Sequence, residues 1–400
     1  MTSPTAPLIA IACGGTGGHL FPGLAVAERL VRRGCAVTLL ISPKEVDQEA
    51  VKTASGMEIV TLPAVGLSRG RAIAFVRGFF RSYRAVKRLF RARPPQAALA
   101  MGGFTSAPAV LAARSLGART FLHESNTVPG RANRWLARVV DQVFVGFPQT
   151  AARFDHPRVM VTGTPVRPQF QPRDPHVCRI ALGLDPARPV LLVMGGSQGA
   201  SGINDLVIHS LPLLAKAAPQ LQLLHLAGPN DAERIDRACS ALKVKAIIYS
   251  FFAEMDLALG AATVAVSRAG ASSLAELAAM GVPAVLVPYP AATDNHQLSN
   301  ARAYVETGAA HLIEQNGATP ETLALLVLDL LENAGARQKM QAALEKWHDS
   351  RASEQIADAI LGAVFRNASG PVLGNEGGSE TGERTAPRDG AAETHNASAA

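Results

Sequence analysis

Short, wholly apolar runs alternate with segments of helical periodicity from Leu8 to about Ala310. Strands without an exposed polar face, separated by helices, predict parallel sheets covered on both sides. The pattern also repeats. Residues 11–30, IACGGTGGHLFPGLAVAERL, run from an apolar strand through glycines into a helix, and residues 190–207, VLLVMGGSQGASGINDLV, do the same. The glycine pairs 14–15 and 195–196 lie 181 positions apart, so the chain reads as two similar halves. Residues 163–176, GTPVRPQFQPRDPH, hold four prolines and no periodicity, and mark the linker. The expected class is α/β, with two Rossmann-like domains facing across a cleft, where such folds bind ligands. Segments 321–333 and 337–364 read as helices closing the second half. From 366 to 400 the chain is rich in Gly, Ser, Thr and Ala and poor in large apolar residues, and is expected to be disordered.

Composition changes this picture in two places. The 400 residues are 48% hydrophobic, enough for two cores, yet no apolar stretch is long enough to span a bilayer. With no leader pattern at MTSPTAPLIA, the chain is expected to stay on the cytoplasmic side. Cys13, Cys35, Cys178 and Cys239 are far apart and predict buried small side chains rather than a zinc site or disulfides. The net charge of +7 is local, because residues 68–93 hold nine Lys and Arg and no acid. General affinity for nucleic acid is therefore not expected. Within that segment Ile73, Val76, Phe79, Phe80, Tyr83, Val86 and Phe90 recur at three- and four-residue steps, with Arg77, Arg81 and Arg84 between them. This spacing suits a helix lying on an anionic membrane surface, or one packing half its face on a core.

Glycine loops entering helices favour an anion, usually phosphate, because unpaired helix N–H groups point at the loop. Neither loop is a Walker sequence. In the first, Leu20 stands where the dinucleotide fingerprint needs its third glycine. A richer segment is SRAGASSLAELAAMGVPAVLVPYPAATDNHQLSNARAYVETGAA, residues 267–310. A helix is expected to begin near Ser272, with Glu276 in its first turn, either as a capping partner or as acceptor for two ribose hydroxyls. The run Asp294-Asn295-His296-Gln297 suits a hydroxyl-rich neutral ligand, or an ordinary polar loop.

The ordered set GGTGGHLFPGLAVAERL, GGFTSAPAV, HESNTVPGRANRWLAR, GTPVRP, GGSQGASGIND, SRAGASSLAELAAMGVPAVLVPYP and DNHQLSNA closely resembles the MurG family of bacterial N-acetylglucosaminyltransferases, over about residues 8–365. The resemblance implies the GT-B architecture: an acceptor- and membrane-binding domain at 8–165, a UDP-GlcNAc-binding domain at 166–345, and a terminal helix at 346–365 packing back on the first domain. It implies inverting transfer of N-acetylglucosamine to the 4-hydroxyl of the muramyl residue of lipid I, giving lipid II and UDP for peptidoglycan synthesis. Residue by residue, Glu276 would hold the ribose, while Ser197, Ala271, Ser272 and Ser273 would meet the diphosphate. Gln297 and His296 would read the sugar, Arg167 would reach the nucleotide-sugar from the hinge, and backbone near Phe252 would meet the base. Thr16, Gly17, Gly18 and Asn126 would face sugar and diphosphate from the first domain. His19 is the expected general base, with Glu124 the other candidate. No D-x-D occurs in the chain, so fixed dipoles rather than a metal are expected to stabilise the leaving group, and no cofactor is implied. Expected partners are UDP-GlcNAc, lipid I, the anionic inner leaflet of the cell membrane, where the chain would sit peripherally, and cell-wall synthesis complexes. HESN and Ser272-Ser273 depart from the commoner family forms. A diacylglycerol glycosyltransferase, a nucleotide-sugar epimerase and a non-catalytic sensor are the rival readings.

Overall fold

The computed structural model describes residues 6–15, 17–63, 72–196 and 199–368. Thr16 and Ser197, both expected in the site, lie outside the described residues, as does the tail from residue 369. The first sheet holds β1 (Leu8–Ala12), β2 (Ala36–Ile41), β3 (Glu58–Thr61), β4 (Ala97–Ala100), β5 (Arg119–Glu124), β6 (Gln142–Val145) and β7 (Val159–Val161), in the order β3-β2-β1-β4-β5-β6-β7. The second holds β8 (Val190–Met194), β9 (Gln222–Leu226), β10 (Lys245–Tyr249), β11 (Val264–Ser267), β12 (Ala284–Leu286) and β13 (His311–Leu312), in the order β10-β9-β8-β11-β12-β13. Every pairing is parallel. Strands such as β1 and β8 are buried at every position, as helix cover on both faces requires.

Strand order reverses between β1 and β4 in one sheet and between β8 and β11 in the other. These are the switch points outside whose carboxyl ends open α/β sheets bind ligands. The glycine loops follow β1, β4 and β8, and the SRAG segment closes β11. The fold thus gathers the quoted motifs at one end of each sheet.

Two expected boundaries move. The helical segment expected over 337–364, whose part from 346 the resemblance assigns to a terminal helix, is two helices, Ala334–Glu345 and Ala352–Ala368. Trp347 breaks it: its ring stacks on Tyr304 with centroids 4.3 Å apart, packs against Phe147, and donates from Nε1 to Thr307 Oγ1 at 2.7 Å. Tertiary packing outweighs helix propensity there. The second helix continues to Ala368, so the first three residues expected in the tail are helical. Its Ile356, Ala357 and Ile360 are fully buried in the core of the first domain, beside Leu20 and Leu30. Arg33 ion-pairs with Glu354 and Asp358 at the rim.

Candidate active site

A cleft of about 850 Å³ opens between the domains, walled by the loops after β1, β4, β5, β11 and β12. His19 lies in its wall, in the first turn of the helix Gly17–Arg32. Its ring rests on the glycines of the GGF motif. A Cβ on Gly102 would stand 2.7 Å from the ring Cε1, and one on Gly103 would stand 3.2 Å from Cδ2. Both glycines also take positive φ, +105° and +78°, which side chains rarely tolerate. Nδ1 is buried without a well-aligned hydrogen bond, which leaves Nε2 as the nitrogen for the cleft. Burial lowers the imidazole pKa from its ordinary 6.5, against the opposing pull of Glu124 and the Met101 carbonyl, with His296 adding to the lowering. The ring is therefore neutral near pH 7, the state a base requires.

The loop before His19 is braced from outside the motif. Gly15 N–H donates to the buried Asp47 Oδ2 at 2.7 Å, Lys44 Nζ donates to the Gly15 carbonyl at 2.6 Å, and Thr105 Oγ1 donates to the Gly14 carbonyl at 3.0 Å.

Glu124 is buried at the end of β5, and both its oxygens are engaged. Oε1 accepts from Asn126 N–H at 2.9 Å and Asn126 Nδ2 at 3.0 Å. Oε2 accepts from Gly130 N–H at 3.0 Å and Asn133 Nδ2 at 2.8 Å. Four donors fill the acceptor sites of one carboxylate, so of the two candidate bases the geometry favours His19.

From the second domain, the helix Ala271–Met280 begins at Gly270 and aims its first N–H groups at the cleft. Ser272 Oγ donates across the gap to the Gly18 carbonyl at 3.2 Å, so this helix start touches the residue before His19. Ser273 stands in the same turn. Because the helix starts at Ala271, Glu276 falls beyond the first turn, and the capping-box alternative does not arise. Burial instead pushes its carboxyl up to about 7, with Arg167 partly offsetting the rise. Arg167 comes from the linker, its guanidinium 4.5 Å from the Phe21 ring centroid and 5.1 Å from that of Phe170. His296 and Gln297 line the cleft. Tyr289 N–H donates to Gln297 Oε1 at 2.9 Å, leaving the Gln297 amide N–H groups as donors for a ligand. His296 Nδ1 lies 2.7 Å from the Thr293 carbonyl. Glu276, Arg167 and Phe252 are not part of this wall. Phe252 stacks on Tyr249, with centroids 4.6 Å apart. Among the described residues, no three His, Cys, Asp or Glu side chains converge as metal ligands would.

The basic helix spans Ala72–Ala92 and divides along its length. Val86 and Phe90 are buried in the first domain, with Tyr83 and Leu89 packed beside them. Ile73 (76% exposed), Val76 and Phe80 face outward among the exposed Arg77, Arg81 and Arg84. Phe79 departs from the expected outward set. It is half-buried, packs edge-on to Phe80 with centroids 5.7 Å apart, and lines the cleft beside Phe75.

Residues 9–145 match the glycosyltransferase family 28 N-terminal domain, and residues 190–358 match the family 28 C-terminal domain. The chain is 34% identical over 383 residues to the UDP-N-acetylglucosamine–N-acetylmuramyl-(pentapeptide) pyrophosphoryl-undecaprenol N-acetylglucosamine transferase of Anaeromyxobacter sp. strain K, covering 90% of this chain and 94% of that one. The same-named protein of Geobacter sp. strain M21 is 36% identical over 373 residues, 88% of this chain and 94% of its own. The chain belongs to the MurG family of glycosyltransferases. Among solved structures, Acinetobacter baumannii MurG superposes with a TM-score of 0.70 at 28% identity, covering 89% of this chain and 99% of that one. A UDP-N-acetylglucosamine 2-epimerase from Listeria monocytogenes, described as putative, shares the fold alone, at 17% identity and a TM-score of 0.65, over 90% and 97% of the two chains. The GT-B class expected for a MurG-family chain therefore holds.

Sequence reasoning missed Asp47, Thr127, Asn133 and the bonding of Asn300. Asn300 alone left a trace, being three and four residues past Gln297 and His296 and so on their face of the helix His296–Glu306.

Proposed function

We infer that the cleft transfers N-acetylglucosamine from UDP-GlcNAc to the 4-hydroxyl of the muramyl residue of lipid I, releasing UDP and lipid II. The family membership supports the reaction. The observation that carries the chemistry is the Ser272–Gly18 contact, which sets a donor-side helix N-terminus against the turn that holds a neutral His19.

In this reading His19 Nε2 takes the proton of the acceptor hydroxyl as its oxygen bonds to the anomeric carbon. The bond from that carbon to the diphosphate oxygen breaks on the opposite face, so configuration inverts. The electron pair leaves with UDP, whose growing charge is met by the N–H groups opening Ala271–Met280, with Ala271, Ser272 and Ser273 in that turn. Glu276 takes the ribose hydroxyls, Arg167 balances the charge there, and backbone near Phe252 meets the base. Gln297 and His296 read the sugar. Gly17, Gly18 and Asn126 approach from the first domain, and Glu124 holds Asn126 in place rather than accepting a proton.

The acceptor carries a polyprenyl chain, so the chemistry has to occur at a bilayer. Among the described residues no helix is long and apolar enough to cross one. The exposed Ile73, Val76 and Phe80, set among Arg77, Arg81 and Arg84, supply a surface that fits peripheral attachment to an anionic leaflet. Phe75 and Phe79 continue that helix into the cleft.

The test is transfer of labelled N-acetylglucosamine from UDP-GlcNAc to a soluble lipid I analogue. Wild type should form product. His19→Ala should lose roughly 100- to 10,000-fold in kcat, the range for a general base, with UDP affinity nearly unchanged. Product formation at an undiminished rate in the variant would remove His19 from the chemistry.

A further inference from the structure

Asn300, on the second-domain helix His296–Glu306, is wholly buried at the domain boundary. Its Oδ1 accepts from Thr127 N–H at 2.9 Å and from Thr127 Oγ1 at 3.0 Å. Its Nδ2 donates to Asn126 Oδ1 at 3.0 Å and to the Ala269 carbonyl at 3.2 Å. Every hydrogen-bonding site of the amide is therefore used. Three of these bonds cross to the first domain, and the fourth returns to the loop that opens the helix Ala271–Met280.

The partner turn is rigid in its own right. Thr150 Oγ1 lies 3.0 Å from the Asn126 carbonyl and 3.2 Å from that of Thr127. The other end of the Asn126 amide is held by Glu124, which Gly130 and Asn133 hold in turn. A continuous chain of bonds thus runs from the β5 carboxylate through Asn126 and Asn300 to Ala269, two residues before the donor-side helix. One turn further along the same helix, Tyr304 packs with Phe147 and Trp347, so aromatic contacts brace the helix just beyond this amide.

We propose that Asn300 is a positioning residue that holds the two half-sites in register, setting Asn126 against the donor-side loop. The proposal rests on the transferase reading of the cleft. An asparagine suits the task because it offers two acceptors to Thr127 and two donors to carbonyl oxygens from one planar group. Aspartate keeps the first pair, but puts a carboxylate oxygen against two acceptors.

The test compares Asn300→Ala, Asn300→Asp and Thr127→Val. Loss of three cross-domain bonds should lower kcat roughly 10- to 100-fold in Asn300→Ala, while UDP affinity stays within about twofold. Asn300→Asp should recover turnover relative to wild type as pH falls from about 8 to 6, because protonation restores a donor toward Asn126. A solely structural role would not produce that rescue. Thr127→Val should show a smaller fall in kcat, and it carries the test with Asn300→Asp should the alanine variant fail to fold. Turnover of Asn300→Ala within twofold of wild type, or an Asn300→Asp ratio flat with pH, would overturn the proposal. A dye pair spanning the two domains, read with UDP-GlcNAc and no acceptor, separates the two readings. A broadened distance distribution in Asn300→Ala supports the role even where no lipid acceptor is glycosylated, and an unchanged distribution counts against it.

Discussion

At the scale of the residue, burial shifts the ionisable groups to which the proposed transfer assigns roles. Glu276 is the clearest. Burial raises its carboxyl from 4.5 to about 7, with Arg167 offsetting only part of the rise. A folded pKa above the unfolded one means the group stabilises the empty protein fully below 4.5. That contribution falls by up to about 1.4 kcal/mol per pH unit between 4.5 and 7, and levels off above 7. Ribose hydroxyls donating to the carboxylate would reverse the preference and expel the proton. Calorimetric titration with UDP in buffers of different protonation enthalpy should therefore record nearly one proton released at pH 6, about half at pH 7 and little at pH 8. Glu276→Gln should abolish that release, weaken UDP by roughly tenfold or more, and raise the melting temperature of the empty protein at pH 8. Equal proton release in the variant would place the ribose elsewhere. The place of His19 in the cleft wall was legible because it follows the glycine run after β1. The bonding of Asn300, and the parts played by Asp47 and Thr127, were not legible, although Asn300 shares a helix face with His296 and Gln297. Their roles come from partners 173 positions away in one case and 32 in another, and a polar residue in a loop or helix carries no local mark of such a partner.

At the scale of the element, periodicity located the strands and helices but not the way one helix divides its labour. The spacing of apolar residues over 73–90 allowed both a core face and a surface face, and Ala72–Ala92 has each at a different end. Val86 and Phe90 hold it to the first domain, while Ile73, Val76 and Phe80 are left to the outside among arginines. Substitution at the outer end should therefore change membrane affinity without changing the fold. Val76→Ser with Phe80→Ser should reduce binding to vesicles containing anionic lipid. Arg77, Arg81 and Arg84 changed together to Gln should do so as well, and should leave the residual binding less sensitive to salt, since each cation near the surface contributes about 1 kcal/mol. Turnover of a detergent-soluble acceptor should remain near wild type in both. Unchanged sedimentation with vesicles would assign this patch to another surface. The break at Trp347 is marked by the family resemblance, which separates a terminal helix from 346 on, and not by the apolar pattern, because lysine and tryptophan continue a helix comfortably and the Tyr304 and Phe147 rings make leaving it favourable.

At the scale of the whole molecule, the two halves are less independent than their repeated loops suggest. The chain passes from the first domain to the second and then returns, and the helix Ala352–Ala368 completes the first core rather than the second. Burial of Ile356, Ile360 and Val364 contributes about 5–9 kcal/mol at 1.5–3 kcal/mol for each side chain. That is comparable to the entire stability of an ordinary domain. The ion pairs of Arg33 and Arg29 with Glu354 and Asp358 sit at the partly exposed rim and add little by comparison. A first domain lacking this helix would thus leave the apolar faces of Leu20, Leu30 and their neighbours in water. A chain ended at residue 351 should lose amide hydrogen-exchange protection in β1, β2 and β4, while β8, β9 and β11 keep theirs. Adding the peptide 352–368 in trans should restore part of the lost protection. Retained protection across β1–β5 in the shortened chain would mean that the first sheet is stable alone, and that the returning helix serves only to tether the domains. Loss in the first sheet alone would instead make the first domain's side of the cleft conditional on a segment synthesised after the entire second domain. The glycine loop around His19 would then take shape only once the second domain is already in place to meet it.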